Sequence, residues 1–299
     1  MKSISTLLFV LALFSNAGAQ GLTYGFKAGL NFSTFDGDLE KDDKGATVEE
    51  FNRVGSFHVG FGFSYGFTEH IGARAELMYS QKGVRMRYEG AAYEVLTSKT
   101  GGDLIYSNGT RNTLNNVLNS YIDLPITIYA RPLKWLEISL GPSIGVLVSA
   151  TGSGSTTFSG KTYLIGGIAS EKTVPEHSFT LEHNYLGDET GEADLSTTTL
   201  LKIGAEEVDI PANVGAYYDI PRGDGSFFNA LDLGLNAGLA LYLSKTLYIG
   251  GRFNYGLSDV TNNAYEFSQV KLDAQNARIP RADMDRNMSI QASVGFNLR

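Results

Sequence analysis

Residues Ser56–Phe67 read SFHVGFGFSYGF and alternate without a break. Phe57, Val59, Phe61, Phe63, Tyr65 and Phe67 fall on one face, and His58, Gly60, Gly62, Ser64 and Gly66 on the other. A period of two makes a strand with two unlike faces. The bulky face is too aromatic for water, and the opposite face is too small to fill an ordinary core. A soluble sandwich buries its bulky face and wets the polar one. A membrane barrel sets the bulky residues against lipid and lines a narrow lumen with small or polar ones. One strand decides little, so the test is recurrence.

The pattern recurs. Leu22–Ser33, Ile71–Gln81, Ser120–Ala130, Leu136–Ser149, Ala230–Leu243, Leu247–Leu257 and Met288–Leu298 all alternate. With Ser56–Phe67 they make eight candidate strands, each near the ~9–11 residues of a tilted membrane strand. Pro125 interrupts the Ser120–Ala130 run, and a residue with no N–H to give the ladder predicts a local bulge there. The connections alternate too. Those after the second, fourth and sixth strands are short, and those after the first, third, fifth and seventh are long. An up-and-down barrel with short periplasmic turns and long extracellular loops has this order. Lipid also demands closure, because an open edge leaves unpaired backbone groups in hydrocarbon.

Charge obeys the same phase. Lys27, Arg74, Glu76, Asp123, Glu137, Asp232 and Arg252 all fall on the lumen side of their strands, and no charge falls on a lipid face. A Lys or Arg at mid-membrane would cost about 2–4 kcal/mol. Eight strands leave little more than room for side chains, so these charges read as an ion-pair network that plugs the lumen; an ion path is the other reading. Tyr24, Phe67 and Trp135 are expected at the periplasmic rim as interfacial aromatics, and Phe57 and Tyr79 at the outer one.

Composition narrows the class. The chain has no Cys, which excludes a disulfide framework, a thiolate metal site and a lipoprotein anchor. Its 35 Gly, 17 Phe and 16 Tyr suit many short strands and turns. The net charge of −8 argues against a nucleic-acid partner. No apolar run reaches the ~20 residues of a membrane helix. Lys2, the apolar Ile4–Phe14 and Ala17-Gly18-Ala19 have the form of a signal peptide over residues 1–19, which leaves the barrel domain in 20–299.

The pieces Gly25–Ser33 (GFKAGLNFS), Glu76–Gly83 (ELMYSQKG), Tyr121–Pro125 (YIDLP), Gly141-Pro142, Asp232–Gly234 (DLG) and Arg252–Leu257 (RFNYGL) come in a familiar order. The chain resembles the eight-stranded outer-membrane β-barrel proteins of Bacteroidota called PorT-like or "porin family". The resemblance covers the strands and leaves out the long loops. It implies an outer-membrane location, contact with outer-membrane lipid and insertion by the barrel-assembly machinery. It brings no catalytic residue. The chain departs from the family in ending on Leu298-Arg299 with no terminal aromatic, and in the 79-residue insertion 151–229. That insertion carries twelve acidic and four basic side chains, a balance of −8 that equals the charge of the whole chain.

Other chemistry is thin. Asp36–Asp43 hints at calcium, but Lys41 stands where an EF-hand needs glycine and Thr47 where it needs the closing Glu, so Asp36–Glu50 reads as a solvated acidic loop. The four histidines form no metal-ligand set; His177 and His183, beside Glu176 and Glu182, are where a surface hydrolase could hide, and no spacing requires one. Thr197–Ile220 is strand-like, and Val208–Pro211 echoes Ile122–Pro125. As a membrane hairpin it would raise the barrel to ten strands, but adjacent Glu206 and Glu207 charge both faces, so it is expected above the membrane. The expectation is an all-β, up-and-down antiparallel transmembrane barrel of eight strands. It has no cofactor, no metal and no enzymatic role. Its long loops bind an extracellular ligand or protein partner over a plugged lumen; a narrow pore or a secretion or uptake component is the alternative.

Overall fold

The computed structural model describes residues 21–298; the expected signal peptide lies outside them. Eight strands form the barrel: β1 (Leu22–Asp36), β2 (Val54–Gly66), β3 (Ile71–Thr97), β4 (Leu104–Leu133), β5 (Leu136–Ile165), β6 (Leu231–Tyr242), β7 (Leu247–Gly256) and β8 (Arg286–Leu298). Each pairs antiparallel with its neighbours in the chain, and β8 closes the ring on β1.

The register fixes the diameter. From Leu22 the paired residues run through Tyr65, Ala73, Ile128, Leu140, Ala237, Phe253 and Ile290 and return to β1 at Phe32, ten residues from the start. Every member of this row is apolar and faces outward. A stagger of ten over eight strands tilts them by about 40° and leaves an interior that side chains can fill. Tight contacts bear this out. A Cβ on Gly295 would lie 2.1 Å from the ring of Tyr248, and one on Gly72 would lie 2.4 Å from the Tyr129 hydroxyl.

Three strands run well past their expected ends. The polar stretch 82–119, read from sequence as a loop, is the upper part of β3 and β4, paired without interruption from Lys82↔Asn119 to Thr97↔Leu104. The insertion likewise begins inside β5. The cause is a change of solvent along one strand. In β3 the odd positions Ile71, Leu77 and Tyr79 face lipid; above Gln81 the odd positions are Arg85, Arg87 and Glu89, and the apolar Val84 and Tyr88 sit on the even, inward phase. The hydrophobic phase inverts where the wall leaves the bilayer. The bulge expected at Pro125 is absent. Pro125↔Ser143 is in regular register with β5, while pairing to β3 lapses between Ala75↔Ile126 and Met78↔Asp123. The register shifts of β4 against β5 lie elsewhere, at Tyr106/Ser107, Ser120/Tyr121 and Ala130/Leu133.

The extended strands and the long loops build a cap. Glu49–Asn52 adds to the β3 edge and Thr173–Asn184 to the β5 edge. The acidic loop 36–50 is therefore not simply solvated, since Glu40 and Glu49 are buried. Thr198–Ile203 and Glu206–Pro211 form a separate hairpin outside the ring, which stays at eight strands. Leu201, Ile203, Val208 and Ile210 of that hairpin pack with Val48, Tyr88, Ile105, Phe158 and Val174 as the core of the cap. Trp135 lies in the short β4–β5 turn. Phe67 lies just beyond the end of β2, and Tyr24 lies near the start of β1. Phe57 packs on Tyr79 at 5.8 Å toward the long-loop end, so Trp135 and Phe57 stand at opposite rims.

The lipid wall and the cap should respond differently to the same charge. Phe61→Arg, in the middle of β2, is expected to cost about 2–4 kcal/mol in urea unfolding from vesicles. Ser155→Arg, on the outer face of β5 in the cap, should change stability by less than about 0.5 kcal/mol.

Candidate functional site

The lumen-facing phase of the strands carries the charges inward, and the narrow ring brings them together in three groups. Nearest the short turns, Arg74 grips Glu137 with two bonds of 2.7 and 3.0 Å, and Arg131 reaches the same carboxylate at 2.9 Å. The Tyr242 hydroxyl donates to Glu137 at 2.9 Å, and both guanidinium groups lie over the Tyr129 ring. In the middle, Glu76 sits between Lys27, at 2.9 Å, and Arg252. Toward the cap, Lys82 is held between Asp123 at 3.0 Å and Asp232 at 2.8 Å, above the Tyr121 ring. Each group is a central charge flanked by two of the opposite sign. A buried charge without such partners would be strongly destabilising.

All seven lumen charges expected from sequence enter these groups. Lys82 and Arg131 complete them and were missed. Lys82 had a legible signal, since it continues the even phase Arg74, Glu76, Met78, Ser80 across the point where the apolar phase inverts. His58 also lies in the lumen, between Asn31 at 2.6 Å and Ser293 at 2.9 Å. The gaps left around the two lower groups are about 10 and 30 Å³, room for about one or two waters.

An aromatic stopper lies above the charges. Phe35, Val84, Val117, Tyr121, Leu147 and Ala150 of the wall meet Tyr185, Phe228 and Val260 of the loops in one buried cluster. Tyr185 packs edge-on to Phe228 at 4.8 Å, and the buried Tyr217 hydroxyl donates to the Tyr185 carbonyl at 2.8 Å. The insertion thus turns back into the barrel mouth.

The family described as "Outer membrane protein beta-barrel domain" matches residues 15–262. The chain belongs to that family. The match stops before β8, which closes the ring in the structure. No curated protein matches the chain. Among solved structures, Ail, the attachment invasion locus protein of Yersinia pestis, aligns at 11% identity and TM-score 0.34, covering 93% of this chain and 99% of that one. OprG of Pseudomonas aeruginosa aligns at 10% identity and TM-score 0.33, covering 93% and 96%. The outer membrane protease OmpT of Escherichia coli aligns at 9% identity and TM-score 0.31, covering 93% and 96%.

The cap of this outer-membrane barrel keeps its histidines apart. His177 Nε2 lies 3.0 Å from Glu94 Oε2; burial works against its charge, but the bond to Glu94 holds its pKa above the usual value. His183 bonds the Tyr185 hydroxyl at 2.9 Å, and burial pushes it down to about 4. Glu176 and Glu182 point to solvent on the opposite face of that strand. In the acidic loop, Asp42 accepts the Lys44 and Ala46 N–H groups at 2.9 and 2.8 Å, closing a turn whose Gly45 has φ +82°. Among the described residues no three acidic or histidine side chains are grouped to hold a metal.

Several carboxyls of the cap are raised by burial, among them Glu49, Asp219 and two in the β7–β8 loop. Burial and the Asp285 and Asp283 charges push Glu266 up to about 8. Burial, Asp283 and Glu49 push Asp285 up to about 7, against the opposing pull of Arg281.

Two outcomes follow from these sites. Lys82→Met strands Asp123 and Asp232 and should cost about 3–5 kcal/mol in urea unfolding, most of it recovered when both are also changed to Asn. Glu266 and Asp285 are raised in the folded cap, so their contribution is full below about pH 4 and is lost as pH rises through 7 to 8. Protease should accordingly cut the 257–285 loop at lower urea at pH 9 than at pH 6, and Glu266→Gln should narrow that difference.

Proposed function

We propose that this barrel is a closed outer-membrane scaffold whose cap binds a ligand or protein partner at the cell surface. The carrying observation is the obstructed lumen: three ion groups fill it, and loop aromatics stopper its mouth. A channel needs a continuous wet path, and gaps of 10 and 30 Å³ between fixed charges do not make one. The long strands and the insertion instead supply a folded cap with its own apolar core, the part of the molecule with surface to spare for recognition.

In this reading residues 1–19 are the export signal, the short turns face the periplasm and the cap, with the 151–229 insertion, stands outside the cell. The order of the strand motifs supports grouping the chain with the PorT-like barrels of Bacteroidota. Its partners are outer-membrane lipid, the barrel-assembly machinery during insertion, and whatever the cap binds; the lumen charges hold the wall together and carry no catalysis.

Single-channel recording of the folded protein in a planar bilayer tests this. The expected trace is silent across physiological voltages. A steady ion current would overturn the plug and favour a narrow pore or an uptake component.

A further inference from the structure

Between the inner face of the cap and the 257–285 loop lies a cavity of about 210 Å³. Its walls are aromatic on several sides: Phe51, Tyr88, Phe227, Tyr265 and Phe267. Set among them are two guanidinium groups, from Arg111 and Arg281, and three carboxyls, from Glu49, Glu266 and Asp285; Arg87, also in the lining, pairs its guanidinium with Glu89 on the outer face. Arg281 is committed to Glu49 at 3.0 Å and Asp283 at 2.6 Å. Arg111 is held by neutral groups, the Gln269 side-chain oxygen and the Tyr93 carbonyl. Asn115 and Asp285, also in the lining, are more than nine-tenths buried, and each has an Oδ1 with no hydrogen-bond partner.

These features select a ligand class. The volume is below that of a drug-sized pocket and suits a molecule of about a dozen heavy atoms. With Arg281 paired to Glu49 and Asp283, the Arg111 cation is left in a lining with two carboxyls, Glu266 and Asp285, that burial raises to about 8 and about 7, so the lining gives little advantage to a ligand with net charge. A purely apolar ligand would cover charged groups without satisfying them, at a cost for each. The lining offers both donors and acceptors between flat aromatic faces. A sugar ring matches it, because each hydroxyl both donates and accepts while the C–H faces pack on aromatic rings.

We infer that this cavity binds one neutral sugar ring, lodged among Phe51, Tyr265 and Phe267 and hydrogen-bonded by Arg111, Gln269 and the β7–β8 loop carboxyls. The ring is either a free monosaccharide or the end of a glycan chain. The site rests on the reading of the cap as the binding part. Its test is separate, since a conducting lumen would refute the plug and leave sugar binding standing, and the reverse.

The test uses the full folded chain in detergent, with calorimetry and saturation-transfer NMR. The probes are the methyl glycosides of glucose, galactose, mannose and N-acetylglucosamine, with glucosamine and glucuronate as charged counterparts. At least one neutral glycoside should bind with a millimolar or tighter Kd, ahead of both charged probes. Gln269→Ala should weaken it about tenfold, the loss of a hydrogen bond to a bound ligand. Phe267→Leu, which keeps the apolar bulk, should weaken it while leaving the heat-modifiable gel mobility of the folded barrel unchanged. Equal affinity for the glycoside and for a disaccharide ending in it identifies a free-sugar site; tighter binding of the disaccharide identifies a glycan end. No binding of any neutral glycoside at tens of millimolar, preference for a charged probe, or binding indifferent to both substitutions would overturn the site.

Discussion

A wall standing in hydrocarbon can leave no backbone N–H or C=O unpaired. That constraint makes the sheet close, and closure makes the β8–β1 pairing from Tyr24↔Leu298 to Asp36↔Arg286 as necessary as any hairpin. A closed ring of eight strands staggered by ten residues then has a fixed, small bore. Whatever the strands turn inward must fit that bore and satisfy itself there. The glycines at 60, 62, 72 and 295 and the charged triplets are two answers to one geometric limit: small residues where a neighbour crosses, and paired charges where long side chains meet.

The ion groups are best understood through the energy of their absence. Glu137, Glu76 and Lys82 are each buried in the lumen, at successive heights, between two opposite charges. A hydrophobic filling would serve stability as well or better, since desolvating two ions consumes most of their attraction. What the ions add is position. A strand slipped by one residue would turn these charges to lipid and its aromatics inward, so the groups penalise every wrong register. The same charges obstruct the path an ion would take.

Much of the wall was legible in the chain, because alternation is local and lipid enforces it strictly. The eight strands, their outward faces and the seven lumen charges follow from period-two reading alone. The failures share a physical origin. Where β3, β4 and β5 leave the bilayer, the outward face becomes polar and the inward face apolar, so the test that found the strands reads their continuation as a loop. Lys82 sits at that inversion and was lost with it. The regular register at Pro125 is set by Ser143, its partner across the β4–β5 hairpin. The stopper of Tyr185 and Phe228 with Tyr121, and the cavity between Phe51 and Phe267, join segments that lie 43 to 216 residues apart in the chain. Their ends give no local sign of meeting.

The central claim is that the lumen is filled, and the chain's lack of cysteine allows a direct measurement. Ser143 faces the lumen on β5 and is 6% exposed. In a Ser143→Cys variant folded into vesicles, a charged, membrane-impermeant thiol reagent added from either side should leave the thiol unmodified until the barrel is unfolded. Labelling of the folded barrel at the rate of a free thiol would mean that water and ions reach the middle of the lumen, and would contradict the account.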